Sequence, residues 1–184
     1  MASASLINAS EKPIRSIVIG PGDFHFDRGQ TRISTLLGSC VSITLWHPVR
    51  QIGGMCHYML CERQRMAQQA LDGRYAAEAF QRFLEHAKRE GTQPSEYVAK
   101  LFGGANMFTS ASQNLSQTPA IGQNNIEYGR ALLNSHSVPL IAEHVGGSGR
   151  RKLHFDLWSG DVWLSFPDGH GATIHGIPWR KDHA

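Results

Sequence analysis

Two residues in this sequence combine reactive chemistry with suggestive placement. Cys40 lies in Leu37-Gly38-Ser39-Cys40-Val41, where a glycine-containing turn gives way to an apolar run, and His57 follows 17 residues later. Glycine lets a backbone fold tightly, so such a turn can expose a sulfur and aim consecutive backbone N–H groups at one point. A nucleophile with oxyanion donors needs that arrangement. A thiol also needs a base or cation to become thiolate near neutral pH, and histidine is the usual provider. The residues between read as two short strands joined near His47-Pro48, and an antiparallel hairpin of that length brings Cys40 and His57 to one end. Plainer readings stand beside these: Cys40 as a small buried hydrophobe, His57 as a structural strand residue.

A metal would compete for the same groups, since Cys56, His57 and Cys61 cluster. Adjacent residues on a strand face opposite ways, however, and no second ligand pair follows at zinc-finger spacing. No G-x-G-x-x-G or G-x-x-x-x-G-K-[ST] pattern occurs, and the doublets Gly53-Gly54, Gly103-Gly104 and Gly146-Gly147 fit close backbone packing beside strands. Neither metal nor cofactor is expected.

The elements that must position these residues are legible in part. Strands are expected over Ile14–Ile19, Val41–Trp46, Ile52–Leu60, Tyr97–Phe102 and Val138–Val145, and a hairpin over Leu153–Leu157 and Val162–Phe166 around Ser159-Gly160. From Tyr75 the period turns helical, with Ala76, Ala79, Phe80, Phe83 and Ala87 on one face, Glu78 on the other, and Gly91 placed as a C-terminal cap. A short helix is expected over Asn125–Ser135. Cys61–Tyr75 reads as a surface loop, and Thr109–Asn125 as a long polar stretch without an element. Uneven interleaving of strands and helices argues for an α+β fold.

Composition narrows the class. The chain has 184 residues, 41% of them hydrophobic, which suits one domain with a single core. Three cysteines are too few for a disulfide scaffold and fit reduced thiols in the cytoplasm. Lys+Arg 18 against Asp+Glu 15 gives only +3, scattered apart from Arg150-Arg151-Lys152, so nucleic acid is not an expected partner. No stretch approaches the ~20 apolar residues of a membrane span, and no cleavable signal is visible.

Taken together, the motifs resemble one family, the bacterial chemoreceptor glutamine deamidases, CheD. The likeness rests on Leu37-Gly38-Ser39-Cys40-Val41, on Gly53-Gly54-Met55 leading to His57-Tyr58-Met59-Leu60, and on Lys100-Leu101-Phe102-Gly103-Gly104-Ala105-Asn106-Met107. It continues through Ile121-Gly122 with Asn125 and Val145-Gly146-Gly147 with Gly149-Arg150-Arg151-Lys152, in family order from about Ile14 to Phe166. The resemblance implies two packed mixed β-sheets with helices on an outer face, and a domain over 13–166 flanked by tails over 1–12 and 167–184.

It also implies a Cys-His-Thr set that converts receptor glutamines to glutamate with release of ammonia. Cys40 takes the nucleophile position, held as thiolate by His57. Thr35 matches the third position by residue type and is the residue expected there, whereas Ser34 matches it by counting back from the cysteine. The implied partners are the cytoplasmic helices of methyl-accepting chemotaxis receptors, and some family members bind a CheC-type phosphatase. A non-catalytic adaptor and a cysteine protease are the rival readings.

Overall fold

Alternation of apolar and polar residues builds most of the protein from strands. The computed structural model describes residues 13–107, 121–167 and 175–178, so the tail expected over 1–12 and residues 109–120 of the expected long loop lie outside the described residues. In chain order the elements are β1 (Arg15–Val18), β2 (Phe24–Arg28), β3 (Thr31–Leu37), β4 (Val41–His47), β5 (Ile52–Cys56), α1 (Ala76–Arg89), β6 (Val98–Gly103), α2 (Ile121–Ser135), β7 (Leu140–Val145), β8 (Arg151–Asp156), β9 (Val162–Ser165) and β10 (His175–Ile177).

The strands form two five-stranded sheets, ordered β1-β3-β8-β9-β10 and β2-β5-β4-β6-β7. Each is mixed, because β1 pairs parallel with β3 and β6 parallel with β7 while the other pairings are antiparallel. Between the sheets, Ile33, Leu37, Leu153, Phe155, Val162 and Leu164 of the first meet Trp46, Met55 and Phe102 of the second. The opposite face of the second sheet, through Val41, Ile43, Leu45, Cys56, Ala99 and Leu101, buries Ala79, Phe80 and Phe83 of α1 and Ile126 and Leu133 of α2. The protein is therefore an α+β fold in which two mixed sheets pack together and the helices cover one outer face.

Several expectations change. β2 and β3 are not among the expected strands, and the segment holding Ser34 and Thr35 is a strand inside the first sheet, between β1 and β8. α2 begins at Ile121, ahead of Asn125. Part of the expected C-terminal tail is β10, which extends the first sheet through β9. Glu78 is buried, not solvated: its carboxylate accepts from Arg63 at 2.6 and 3.1 Å and from the Asp72 N–H at 2.7 Å, which pins the 61–75 loop to α1.

Polar groups tie the two sheets across their apolar interior. Trp46 Nε1 donates to the Leu157 carbonyl at 2.9 Å. The buried Arg151 guanidinium donates to the carbonyls of Gly103 at 3.0 Å and His144 at 2.7 Å, and also to that of Gly146. The middle of the Arg150-Arg151-Lys152 run is thus interior structure rather than a basic surface.

Lys100 is likewise buried, with Nζ on the carbonyls of Gly160 at 2.8 Å and Ile177 at 2.6 Å, so it also holds β10. Burial pushes this ammonium down from 10.5 to about 8, with the Asp161 charge opposing. Between those values the unfolded chain binds more protons than the folded one, so this residue makes stability rise with pH, by on the order of 3 kcal/mol across the window. Urea midpoints measured at about pH 7.5 and about pH 9.5 should therefore diverge less in Lys100→Met than in wild type.

Candidate active site

The turn that carries Cys40 is held from two sides. Before it, Leu37 ends β3 in register with Arg151 of β8. After it, the Cys40 carbonyl accepts the Gly104 N–H at 2.8 Å and the Gly38 carbonyl accepts the Ala105 N–H at 2.9 Å. That approach requires glycine: Gly103 has φ 111° and a Cβ there would stand 2.1 Å from the Cys40 carbonyl oxygen, while Gly104 has φ 67°. Among the described residues no carbonyl of another residue takes the Ser39 or Cys40 N–H.

β4 and β5 bring the second residue in. Val41 and Tyr58 exchange two backbone hydrogen bonds, each 2.9 Å, continuing the register in which Thr44 faces Met55. Side chains one residue away on either side then share the opposite face, so Cys40 and His57 are diagonal neighbours looking toward the first sheet. Cys56, one step earlier, faces the helices, its thiol pushed to about 12 by burial. Cys61 points its thiol at the Asn124 carbonyl and the Asn125 Oδ1, each 3.6 Å away. The three cysteines thus occupy different surroundings. His47 ends β4, with six strand residues between it and Cys40, roughly 20 Å; it cannot serve that thiol.

The first sheet supplies the third group. In β3, Ile33, Thr35 and Leu37 point inward, whereas Ser34 turns outward and meets His154 Nδ1 at 2.7 Å. Thr35 Oγ1 lies 2.8 Å from the Ile19 carbonyl and 2.9 Å from His57 Nδ1. A carbonyl can only accept, so the single hydroxyl proton goes to Ile19, and Thr35 must accept from His57. His57 is therefore protonated at Nδ1, which leaves the lone pair on Nε2. Nε2 is buried and has no hydrogen-bond partner among the described residues.

Burial lowers His57 from 6.5 to about 4, with the charge of Asp23 opposing, and raises the Cys40 thiol, with its own backbone N–H opposing. Both shifts favour neutral forms. Burial at this site therefore works against a separated thiolate–imidazolium pair.

Spacing alone found Cys40 and His57. It missed the Ile19 carbonyl, which has no side-chain signature, and Asp23, which lies in the turn just before the unrecognised β2.

Comparison with known proteins adds an independent line. The family model described as CheD chemotactic sensory transduction matches residues 59–166. The chain belongs to the CheD family. Among relatives, the probable chemoreceptor glutamine deamidase CheD 3 of Dechloromonas aromatica is 57% identical over 168 residues, 91% of this chain and 97% of that one. An alignment of that extent spans Thr35, Cys40 and His57, which precede the segment matched by the CheD model. The probable chemoreceptor glutamine deamidase CheD of Pseudomonas savastanoi pv. phaseolicola is 47% identical over 82% of this chain and 84% of its own. A CheD 1 of Leptospira interrogans with the same descriptive name is 38% identical over 83% of this chain and 93% of its own.

Proposed function

We propose that this protein hydrolyses the side-chain carboxamide of glutamines in chemoreceptors, giving glutamate and ammonia, with Cys40 as nucleophile and His57 as general base and acid. The observation that carries the reading is the Thr35 hydroxyl, whose commitment to the Ile19 carbonyl leaves His57 Nε2 as an unpartnered base on the face it shares with the thiol.

In the first half-reaction the thiol proton passes to Nε2 as sulfur attacks the carboxamide carbon. The oxyanion that forms is held by the Ser39 and Cys40 N–H groups, each such donor being worth roughly 3 kcal/mol. The carbon–nitrogen bond then breaks, the departing NH₂ takes the proton from His57, and ammonia leaves a thioester on Cys40. In the second half a water gives its proton to Nε2 while its oxygen attacks the thioester carbon. The carbon–sulfur bond breaks, sulfur recovers the proton, and a carboxylic acid is released that ionises to glutamate. No cofactor enters these steps.

Thr35 acts by fixing the tautomer. Thr35→Val keeps the shape and removes the hydroxyl, and is expected to lower kcat by roughly tenfold to a hundredfold. Ser34→Ala, which loosens only the outward bond to His154, should stay within about twofold. Steady-state ammonia release measures both, and equal losses would reverse the assignment.

The substrate side is a receptor's cytoplasmic helices, which places the protein in the cytoplasm with its thiols reduced. A CheC-type phosphatase is a second partner of the same kind, and competition with a receptor fragment tests it. For the activity itself, mass spectrometry of a receptor fragment incubated with the protein should show gains of about 1 Da per modified glutamine, the change from NH₂ to OH. Backbone cleavage would instead mark a protease, and binding without any mass change an adaptor.

A further inference from the structure

The register of β2 against β5 pairs Phe24 with Cys56, and continued by one step it sets Asp23 directly opposite His57. The His57 N–H donates to the Asp23 carbonyl at 3.1 Å, while the His57 carbonyl accepts from the Gly22 N–H at 2.7 Å, so a bulge at Gly22, φ 87°, ends the ladder with Asp23 still opposite His57. Phe24 and Phe26 pack toward the helices, so Asp23 projects from the other face, the one that carries His57. Directly opposed side chains on one face have Cβ atoms about 5 Å apart. The carboxylate is fixed locally as well, because its Oδ2 accepts the Gly20 N–H at 2.9 Å.

We propose that Asp23 is a positioning residue for the reaction described above, its carboxylate serving as the charge partner of His57 whenever the imidazole holds a proton. The proposal rests on His57 being the base, and it supplies what the Cys-His-Thr set lacks. Thr35 is neutral: it orients the imidazole but cannot balance a positive ring. Each proton transfer creates that ring beside a developing anion, in a site whose burial works against charge.

Among the described residues, the other neighbours leave the task to Asp23. Cys40 is the proton source, and Thr35 and Ser42 carry no charge. Arg74, which packs over Gly22, is held by both oxygens of Asp72 at 2.6 to 3.0 Å, so those two charges offset one another. Asp23 is solvent-exposed, so its effect is moderate and sensitive to salt.

Alkylation of Cys40 by iodoacetamide, followed by mass spectrometry of the peptide that contains it, tests the proposal without any receptor. Alkylation proceeds through the thiolate, which the proton on His57 accompanies. Asp23→Asn retains an acceptor for the Gly20 N–H while removing the charge, and should slow the reaction about two- to fivefold at pH 7 and low salt. Asp23→Glu should restore most of the rate. In ~1 M salt the wild-type advantage should largely disappear, an outcome a purely structural role would not produce. Equal alkylation rates for wild type and Asp23→Asn at low salt, or a difference that salt leaves unchanged, would overturn the proposal. Because the deamidase assay is not used, these results stay separate from success or failure of the glutamine reaction.

Discussion

Cys40→Ala is expected to bring ammonia release from a receptor fragment down to background, a loss on the order of 10⁴-fold or more. The size follows from the role: without sulfur no thioester forms, and what remains is whatever the oxyanion donors and binding do for a water molecule. The fold should survive. Cys40 is partly exposed at a turn held by backbone bonds from Gly104 and Ala105, none of which involves the side chain. Its removal should shift stability by no more than about 1 kcal/mol. An ammonia-coupled assay together with a urea titration separates the two effects, and an active, folded Cys40→Ala protein would sink the nucleophile assignment. Cys56→Ala, in contrast, vacates a buried position facing the helices and should reduce stability with little direct effect on turnover.

His57→Gln should cost roughly 10²- to 10⁴-fold in kcat, the usual contribution of a positioned base. The pH dependence carries the sharper content. Protonated His57 has no lone pair to offer, so kcat/KM should fall as pH drops through about 4, not near the ordinary 6.5 of histidine. The same displacement acts on folding. Between 6.5 and about 4 the unfolded chain takes up a proton that the native protein declines, so the native state loses stability as pH falls across that window. The loss is on the order of 3 kcal/mol from this residue, and His57→Gln should abolish that part of the slope. Denaturant midpoints at pH 7 and near pH 4.5, compared between the two proteins, measure it.

How far the sequence could be read depended on how local each determinant is. α1 was legible because Ala76, Ala79, Phe80, Phe83 and Ala87 repeat at helical spacing with Gly91 at its end, and Gly91 indeed takes φ 67°. The β4–β5 pair was legible because a turn separates two apolar runs. β2 and β3 were not. Phe24-His25-Phe26-Asp27-Arg28 alternates, but it is short and its apolar residues look toward helices distant in sequence. Thr31–Leu37 is buried on most of its length and mixes Thr, Arg and Ser with apolar residues, because Ser34 finds His154 and Arg32 finds Asp156 on β8, more than a hundred residues away. Partners that remote leave no local periodicity. The same reason governs the site. Cys40 and His57 share one hairpin and could be paired by counting, whereas Thr35 was reached only through family likeness, which favours it over Ser34 by residue type; the physical reason, its inward face on β3, appears only in the folded sheet.

The hydrogen bond from His57 to Thr35 has a consequence for how this site can exist at all. Cys40 and His57 belong to one sheet and Thr35 to the other, so the bond spans the seam between two layers. A one-residue slip of β3 would turn Thr35 away and present a neighbour, exchanging a hydroxyl that reads the ring for a side chain that cannot, or for one in another position. The imidazole's proton then reports on how the layers are stacked. Chemistry and tertiary assembly are the same event here: a half-built molecule with both sheets formed but not yet docked would hold a thiol and an imidazole with no defined tautomer, and its thiol would stay idle until the layers closed.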